Sequence, residues 1–226
     1  MAQMRPPRPA AIVFDMYGTL VDVAGVSAAC KGVVPDPEAF TALWRSKQLE
    51  YSFLRTLLGR YRDFWRVTQE ALDFAVARFG RELSAEERGR LLDAWLHPAA
   101  YPDAQAALPR LAERFRLAVL SNGTPKMLRA GLRHCGLGPH IGAVLSVHGV
   151  RRYKPSPQVY RLATRRLRTP RRKILFVSAN PFDVAGARSF GLRVCWINRT
   201  GAPLESLARR PQMVAADLDA LATRLR

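Results

Sequence analysis

The spacing of apolar and polar positions changes character along the chain. Four consecutive apolar residues, Ala11 to Phe14, form a run too short for a helix and read as a buried strand. The run stops at Asp15. Gly18 then supplies backbone freedom for a turn, and Thr19 puts a hydroxyl four residues after the acid. From Glu38 to Leu96 the apolar residues fall three and four apart: Phe40, Leu43 and Trp44, then Leu49, Phe53, Leu54, Leu57 and Leu58, then Phe64, Val67, Leu72, Phe74 and Val76. Gly80 reads as a helix stop. Ser84 with Glu87 three residues on reads as a capping box, and Pro98 ends the helical stretch. Beyond Pro102 the period alternates. Helix-like Ala104–Ala112, Thr124–Cys135, Gln158–Leu167 and Asp183–Phe190 are interleaved with apolar runs at Leu117–Leu120, Ile141–Val147, Ile174–Val177 and Val194–Ile197, the last clear strand.

Strands and helices alternating at these lengths predict an α/β fold: a Rossmann-like parallel sheet with helices on both faces. The helical stretch interrupts it as an insert. The expected organisation is a flexible, basic, proline-rich leader over 1–10, a core of 11–23 and 99–226, and an all-helical unit over 24–98.

Composition narrows this only slightly. The chain has 226 residues, 48% of them hydrophobic, enough for a sizeable core. No apolar run approaches the ~18–20 residues that span a bilayer, so a membrane partner is not expected. Cys30, Cys135 and Cys195 show neither disulfide nor zinc spacing, and a reducing cytoplasm is the default compartment. The net charge of +18 raises the question of nucleic acid. Only five of the 36 basic residues are lysine, however, and the arginines are dispersed. The densest group, Arg165, Arg166, Arg168, Arg171, Arg172 and Lys173, has no interleaved aromatics for base stacking. A solvated surface turn is the expected reading, with no nucleic-acid partner.

The chemistry gathers at strand ends. Four apolar runs finish in polar groups: Asp15, Ser121-Asn122, Ser178-x-Asn180 and Asn198-Arg199. In a parallel sheet these ends face one crevice. Lys154, in the loop after the Ile141–Val147 run, joins them.

The motifs FDxYGT from Phe14, LSNG from Leu120, YKPxPxVY from Tyr153 and FVSANPFD from Phe176 stand in this order around a helical insert. Together they resemble the haloacid dehalogenase superfamily. WRxxQLEY from Trp44 narrows the likeness to its L-2-haloacid dehalogenases. The resemblance spans about Ala11 to Arg199. It implies a helical cap over a Rossmann-like core, an aspartate nucleophile and a homodimer.

The superfamily's phosphatases pair the nucleophile with a second aspartate two residues on, which protonates the departing alkoxide. Here that position is Tyr17, whose unperturbed pKa of about 10 makes it a poor acid at neutral pH. Those phosphatases also hold Mg²⁺ through an acid in the fourth motif, where Ser178 and Ala179 stand. A hard cation wants carboxylate oxygens, so no metal or other cofactor is expected. Halide leaves as a stable anion and needs no proton. The resemblance therefore implies hydrolysis of short (S)-2-haloalkanoic acids through an aspartyl ester. Alternatives are a phosphatase, a dehalogenase for another haloacid such as fluoroacetate, and an idle basic binding protein.

By the same resemblance, Asp15 is the nucleophile and Thr19 its hydrogen-bond partner. Asp183 activates water, with Lys154, Ser178 and Asn180 orienting the acids and Tyr160 supporting the lysine. Ser121 and Asn122 hold the substrate carboxylate. Arg45, Asn180 and Phe182 receive the halide. Tyr17, Leu49 and Phe64 line an apolar pocket, although Leu49 and Phe64 also fit helical core spacing. Phe182 stands where a tryptophan is common, which bears on halide preference.

Overall fold

A computed structural model describes residues 8–207 and 210–225. Six strands form one sheet: β1 (Ala11–Phe14), β2 (Arg116–Ser121), β3 (Ala143–Ser146), β4 (Ile174–Ser178), β5 (Arg193–Ile197) and β6 (Met213–Ala215). Their order is β3-β2-β1-β4-β5-β6, and every pairing is parallel. The chain winds outward from β1 on one side, then returns across it to begin β4. That reversal creates a crevice at the carboxyl ends beside β1. Strands β1 and β4 are buried along their whole length, as expected of central parallel strands covered on both faces.

Register then sets the site. Phe14 pairs with Val119 on one side and Val177 on the other. Asp15 is therefore the first residue beyond the sheet, level with the ends of β2 and β4. Its amide still donates to the Val177 carbonyl (2.9 Å), so the carboxylate leaves from a fixed backbone.

Between β1 and β2, the described elements of residues 25–93 are all helical: α1 (Gly25–Ala29), α2 (Pro37–Leu57), α3 (Phe64–Arg78) and α4 (Ala85–Asp93). Asp36 caps α2, Asp63 caps α3, and Ser84 with Glu87 forms a complete capping box on α4. The outgoing and returning chains run side by side: Asp22 N–H donates to Ala99 (2.8 Å) and Tyr101 N–H to Leu20 (3.0 Å). The remaining helices, α5 (Pro102–Ala112), α6 (Pro125–His134), α7 (Pro157–Leu167), α8 (Pro181–Phe190) and α9 (Leu218–Arg224), belong to the sheet.

Several details depart from the sequence pattern. Residues 1–7 of the expected leader lie outside the described residues. Residues 8–10 are not loose: Ala10 N–H donates to Lys173 (2.8 Å), and the Arg8 guanidinium lies over the Phe115 ring. The Ile141–Val147 run shortens to four strand residues, because Val147–Gly149 turns into a 3₁₀ helix. Beyond β5 the chain adds β6 and α9, which the pattern did not announce. The six clustered basic residues are all exposed, and Arg171 lies over the Phe190 ring. All three cysteines are free and buried.

Candidate active site

Asp15 sits at the centre of a hydrogen-bond network that uses both its oxygens. Lys154 Nζ donates to Oδ1 at 2.9 Å. Asn180 Nδ2 donates to Oδ2 at 2.7 Å, and the Thr19 hydroxyl donates to the same oxygen at 3.2 Å. Thr19 is fixed in turn, since its oxygen accepts from Ala179 N–H (3.0 Å). The turn between Asp15 and Thr19 needs Gly18: its φ is +83°, and the Asn180 amide lies 3.7 Å from where a Cβ would stand.

Lys154 also donates to Asp183 Oδ2 at 2.6 Å, so one ammonium bridges two carboxylates. The Tyr160 hydroxyl donates to Asp183 Oδ1 at 2.7 Å. Lys154 and Asp183 have side chains 1% and 0% exposed, so this is a buried ion triad whose charges are all hydrogen-bonded. Burial pulls the lysine pKa down, but Asp15 and Asp183 more than offset it and the ammonium is held charged. Burial pushes the Asp183 carboxyl up to about 6, against the pull of Lys154 and with the push of Asp15. Burial likewise raises the Tyr160 and Tyr17 phenols, which stay neutral donors.

Facing these groups are residues of α2 and α3. Arg45, Phe64, Tyr17, Ser121, Asn122 and Phe182 close a small cavity around Asp15, Lys154 and Asn180. Burial lowers the Arg45 pKa, opposed by Asp15 and Tyr17; an arginine so shifted is still a cation. Its Nη1 donates to Gln48 Oε1 (3.2 Å), and its guanidinium lies 5.7 Å from the Trp95 ring. The Tyr17 hydroxyl donates to the Trp95 carbonyl (3.1 Å), tying the turn after β1 to the end of the helical segment.

A family model of haloacid dehalogenase-like hydrolases matches residues 9–191. The chain belongs to the haloacid dehalogenase-like hydrolases. It is 42% identical over 212 residues to the (S)-2-haloacid dehalogenase of Pseudomonas sp. (strain YL), covering 93% of this chain and 91% of that one. The solved L-2-haloacid dehalogenase of Xanthobacter autotrophicus superposes with a TM-score of 0.90 at 39% identity, covering 96% of this chain and 98% of that one. The same enzyme with chloropropionic acid covalently bound also gives 0.90, at 38% identity with the same coverage.

Within this haloacid dehalogenase-like hydrolase, nine residues named from the sequence line the cavity, and Thr19, Tyr160 and Asp183 stand directly behind it. Two of the expected residues stand apart from these contacts. Ser178 bonds neither acid directly. It ends β4 inside the sheet, and its hydroxyl accepts from Asn180 N–H (3.1 Å), so it holds the turn that carries Asn180. Leu49 does not line the cavity. It lies on the α2 face of Arg45 and Phe53, and Phe53 makes a T-shaped pair with Phe182 (5.3 Å). Asn122 is used twice: it lines the cavity, and its Oδ1 accepts from Lys154 N–H (3.1 Å).

Arg199 carries a task the sequence did not reveal. It donates to the carbonyls of Gly18 (3.2 Å) and Thr19 (2.9 Å) and to Asp103 (2.8 Å), with its guanidinium 3.9 Å from the Tyr101 ring. It thus pins the turn after Asp15 from the end of β5. A polar pair after an apolar run was the available signal; its target on the first turn was not.

Proposed function

We propose that this hydrolase cleaves the carbon–halogen bond of short (S)-2-haloalkanoic acids, giving (R)-2-hydroxy acids and halide. An Asp15 oxygen attacks C2 opposite the halogen. The new C–O bond forms as the halide departs with the bonding pair, and C2 inverts. Ser121 and neighbouring backbone N–H groups hold the substrate carboxylate, and Tyr17 and Phe64 form the apolar wall. Water then attacks the carboxyl carbon of Asp15. Asp183 takes a proton from that water and returns it to the departing alkoxide, so the hydroxy acid is expelled with an original Asp15 oxygen while Asp15 is restored and the water's second proton passes to solvent.

The observation that carries this reading is a carboxylate with both oxygens held, facing Arg45, with a neutral tyrosine where a phosphatase needs its acid. Asn180 adds a hand-over. Its Nδ2 donates to Asp15 and to the Tyr17 carbonyl (3.0 Å). Esterification removes the Asp15 charge, which frees one N–H to turn to the departing halide beside Arg45 and Phe182. No step is routed through metal. Tyr17, Ser178 and Ala179 supply no carboxylate, and the Lys154 ammonium already bridges the two that remain. The residues present do not fit Mg²⁺.

The helices over 24–98 act, in this proposal, as a cap that closes on the substrate. Among the described residues no helix is long and apolar enough to cross a membrane. The exposed Leu57 and Leu58 at the end of α2 support a homodimer, which light scattering tests.

Halide release from racemic 2-chloropropionate, stopping when the S enantiomer is spent, is the first test. A single turnover in H₂¹⁸O with enzyme in excess decides the route. The expected product is unlabelled, with ¹⁸O in Asp15. Label in the first product would mean that water attacks C2 directly.

A further inference from the structure

Arg45 is held by a chain of buried polar groups that begins and ends at the cavity wall. Its Nη1 donates to Gln48 Oε1 (3.2 Å). Gln48 Nε2 donates to the Thr68 hydroxyl oxygen (3.0 Å), and that hydroxyl donates to the Phe64 carbonyl (2.7 Å). Gln48 and Thr68 are wholly buried. Trp44 Nε1 donates to the Thr68 carbonyl (2.9 Å), locking α2 against α3 at that level.

The chain has a direction, set by donor counts alone. A threonine hydroxyl has one proton, and here it goes to Phe64. Thr68 can therefore only accept from Gln48, so the amide NH₂ faces Thr68 and the amide oxygen faces Arg45. A guanidinium can only donate. A reversed amide would set NH₂ against the guanidinium and leave the Thr68 oxygen without its donor, in a place where water does not enter. Phe64 in turn lines the cavity beside Arg45.

We propose that Gln48 and Thr68 are positioning residues for the haloacid reaction: they fix the Arg45 guanidinium where the halogen leaves. Neither touches substrate. They act by holding a long, rotatable cation in one place, so that its ordering precedes the reaction and does not accompany it. This rests on the proposed dehalogenase activity. It adds a dependence of halide handling on a residue one turn along α2 and another on α3.

The test uses Gln48→Met, close in shape but without an acceptor, with Gln48→Glu, Thr68→Val and Thr68→Ser. Halide release, bromide inhibition and crystal structures are the readouts. Gln48→Met and Thr68→Val are expected to lower kcat/KM about 10- to 100-fold and to weaken bromide inhibition. Thr68→Ser, which keeps the hydroxyl, is expected to stay within a few-fold of the parent, whereas Gln48→Glu, which takes the donor from Thr68 and commits the Arg45 charge to a buried carboxylate, is expected to weaken bromide inhibition as well. In an Arg45→Lys background, Gln48→Met should add little further loss, because both act through one group. An equal loss in both backgrounds would overturn the relay. Crystal structures keep the question separate from the activity itself. An Arg45 guanidinium unmoved in Gln48→Met refutes the relay whatever the substrate, whereas a displaced one supports it even if haloacids prove not to be turned over. If Gln48→Met does not fold, Thr68→Val against Thr68→Ser decides by the same readouts.

Discussion

Lys154 and Arg45 both act on Asp15 from the cavity, yet they are kept there by different means. Lys154 comes from the sheet side, bonds directly to two carboxylates and is 1% exposed. Its charge offsets those of two acids that are themselves buried, so the fold depends on it. Arg45 comes from α2. It has an amide oxygen and an aromatic face but no direct ion pair among the described contacts. The sheet half of the site is thus assembled by the fold itself. The helical half is a cation set in place and left available. The lesson is that the permanent ionic contacts sit around the acids, while the cation suited to a transient anion keeps its charge uncommitted.

Removing Lys154 should break the comparison most severely. Lys154→Met leaves two buried acids unpaired, and unfolding by urea should show a loss of about 3–5 kcal/mol together with loss of halide release. Arg45→Met should separate the two effects: activity down by about 100-fold or more, by analogy with loss of a transition-state donor, and stability down by only about 1–3 kcal/mol, the cost of leaving the buried Gln48 oxygen without its donor. A large stability loss there would show that Arg45 is as structural as Lys154.

Proton occupancy gives a finer test. Asp183 is pushed up to about 6 in the free protein, in part by the Asp15 charge; esterification removes that charge, so the second step should accelerate with rising pH about a midpoint below that of the free protein. Below it, the ester on Asp15 should accumulate, visible by mass spectrometry of acid-quenched enzyme. The stability term has the opposite sign. The folded protein holds this proton more tightly than the unfolded chain, whose carboxyl titrates near 3.9. The contribution of Asp183 to stability is therefore full below about pH 4 and is lost as pH rises through about 6. The smallest effect expected is from EDTA: dialysis should leave the rate unchanged, and a loss restored by Mg²⁺ would sink the metal-free route.

How much of this was legible in the sequence follows the same divide. The sheet half announced itself. Apolar runs that stop at Asp15, Ser121 and Ser178 mark strand ends, and parallel pairing brings such ends together whatever the distance in sequence. The helical half was legible only where a motif carried it, as at Arg45. Gln48 and Thr68 look like ordinary polar positions on two amphipathic helices. Only the packing of α2 on α3 shows that both point inward. For Leu49, helical spacing gives a face of α2 but not its distance from the cavity. The short β6 at the sheet edge, with only Ala215 of its three residues buried, has too weak a pattern to be read as a strand.

The central place of β1 has a consequence for the order in which this protein can be made. Translation delivers β1 first, but its neighbours are β2 and β4, whose partners for Ala11 are Arg116 and Ile174. A growing chain can assemble the helices of residues 25–93 from local contacts, while the strand that ends in the nucleophile waits without a sheet to join. The ammonium and second acid that flank Asp15 arrive only with Lys154 and Asp183, and the arginine that pins its turn arrives later still, at Arg199. The first of these six strands to leave the ribosome is thus among the last to be secured, and its exposed apolar edge is what a nascent chain of this design must have shielded in the meantime.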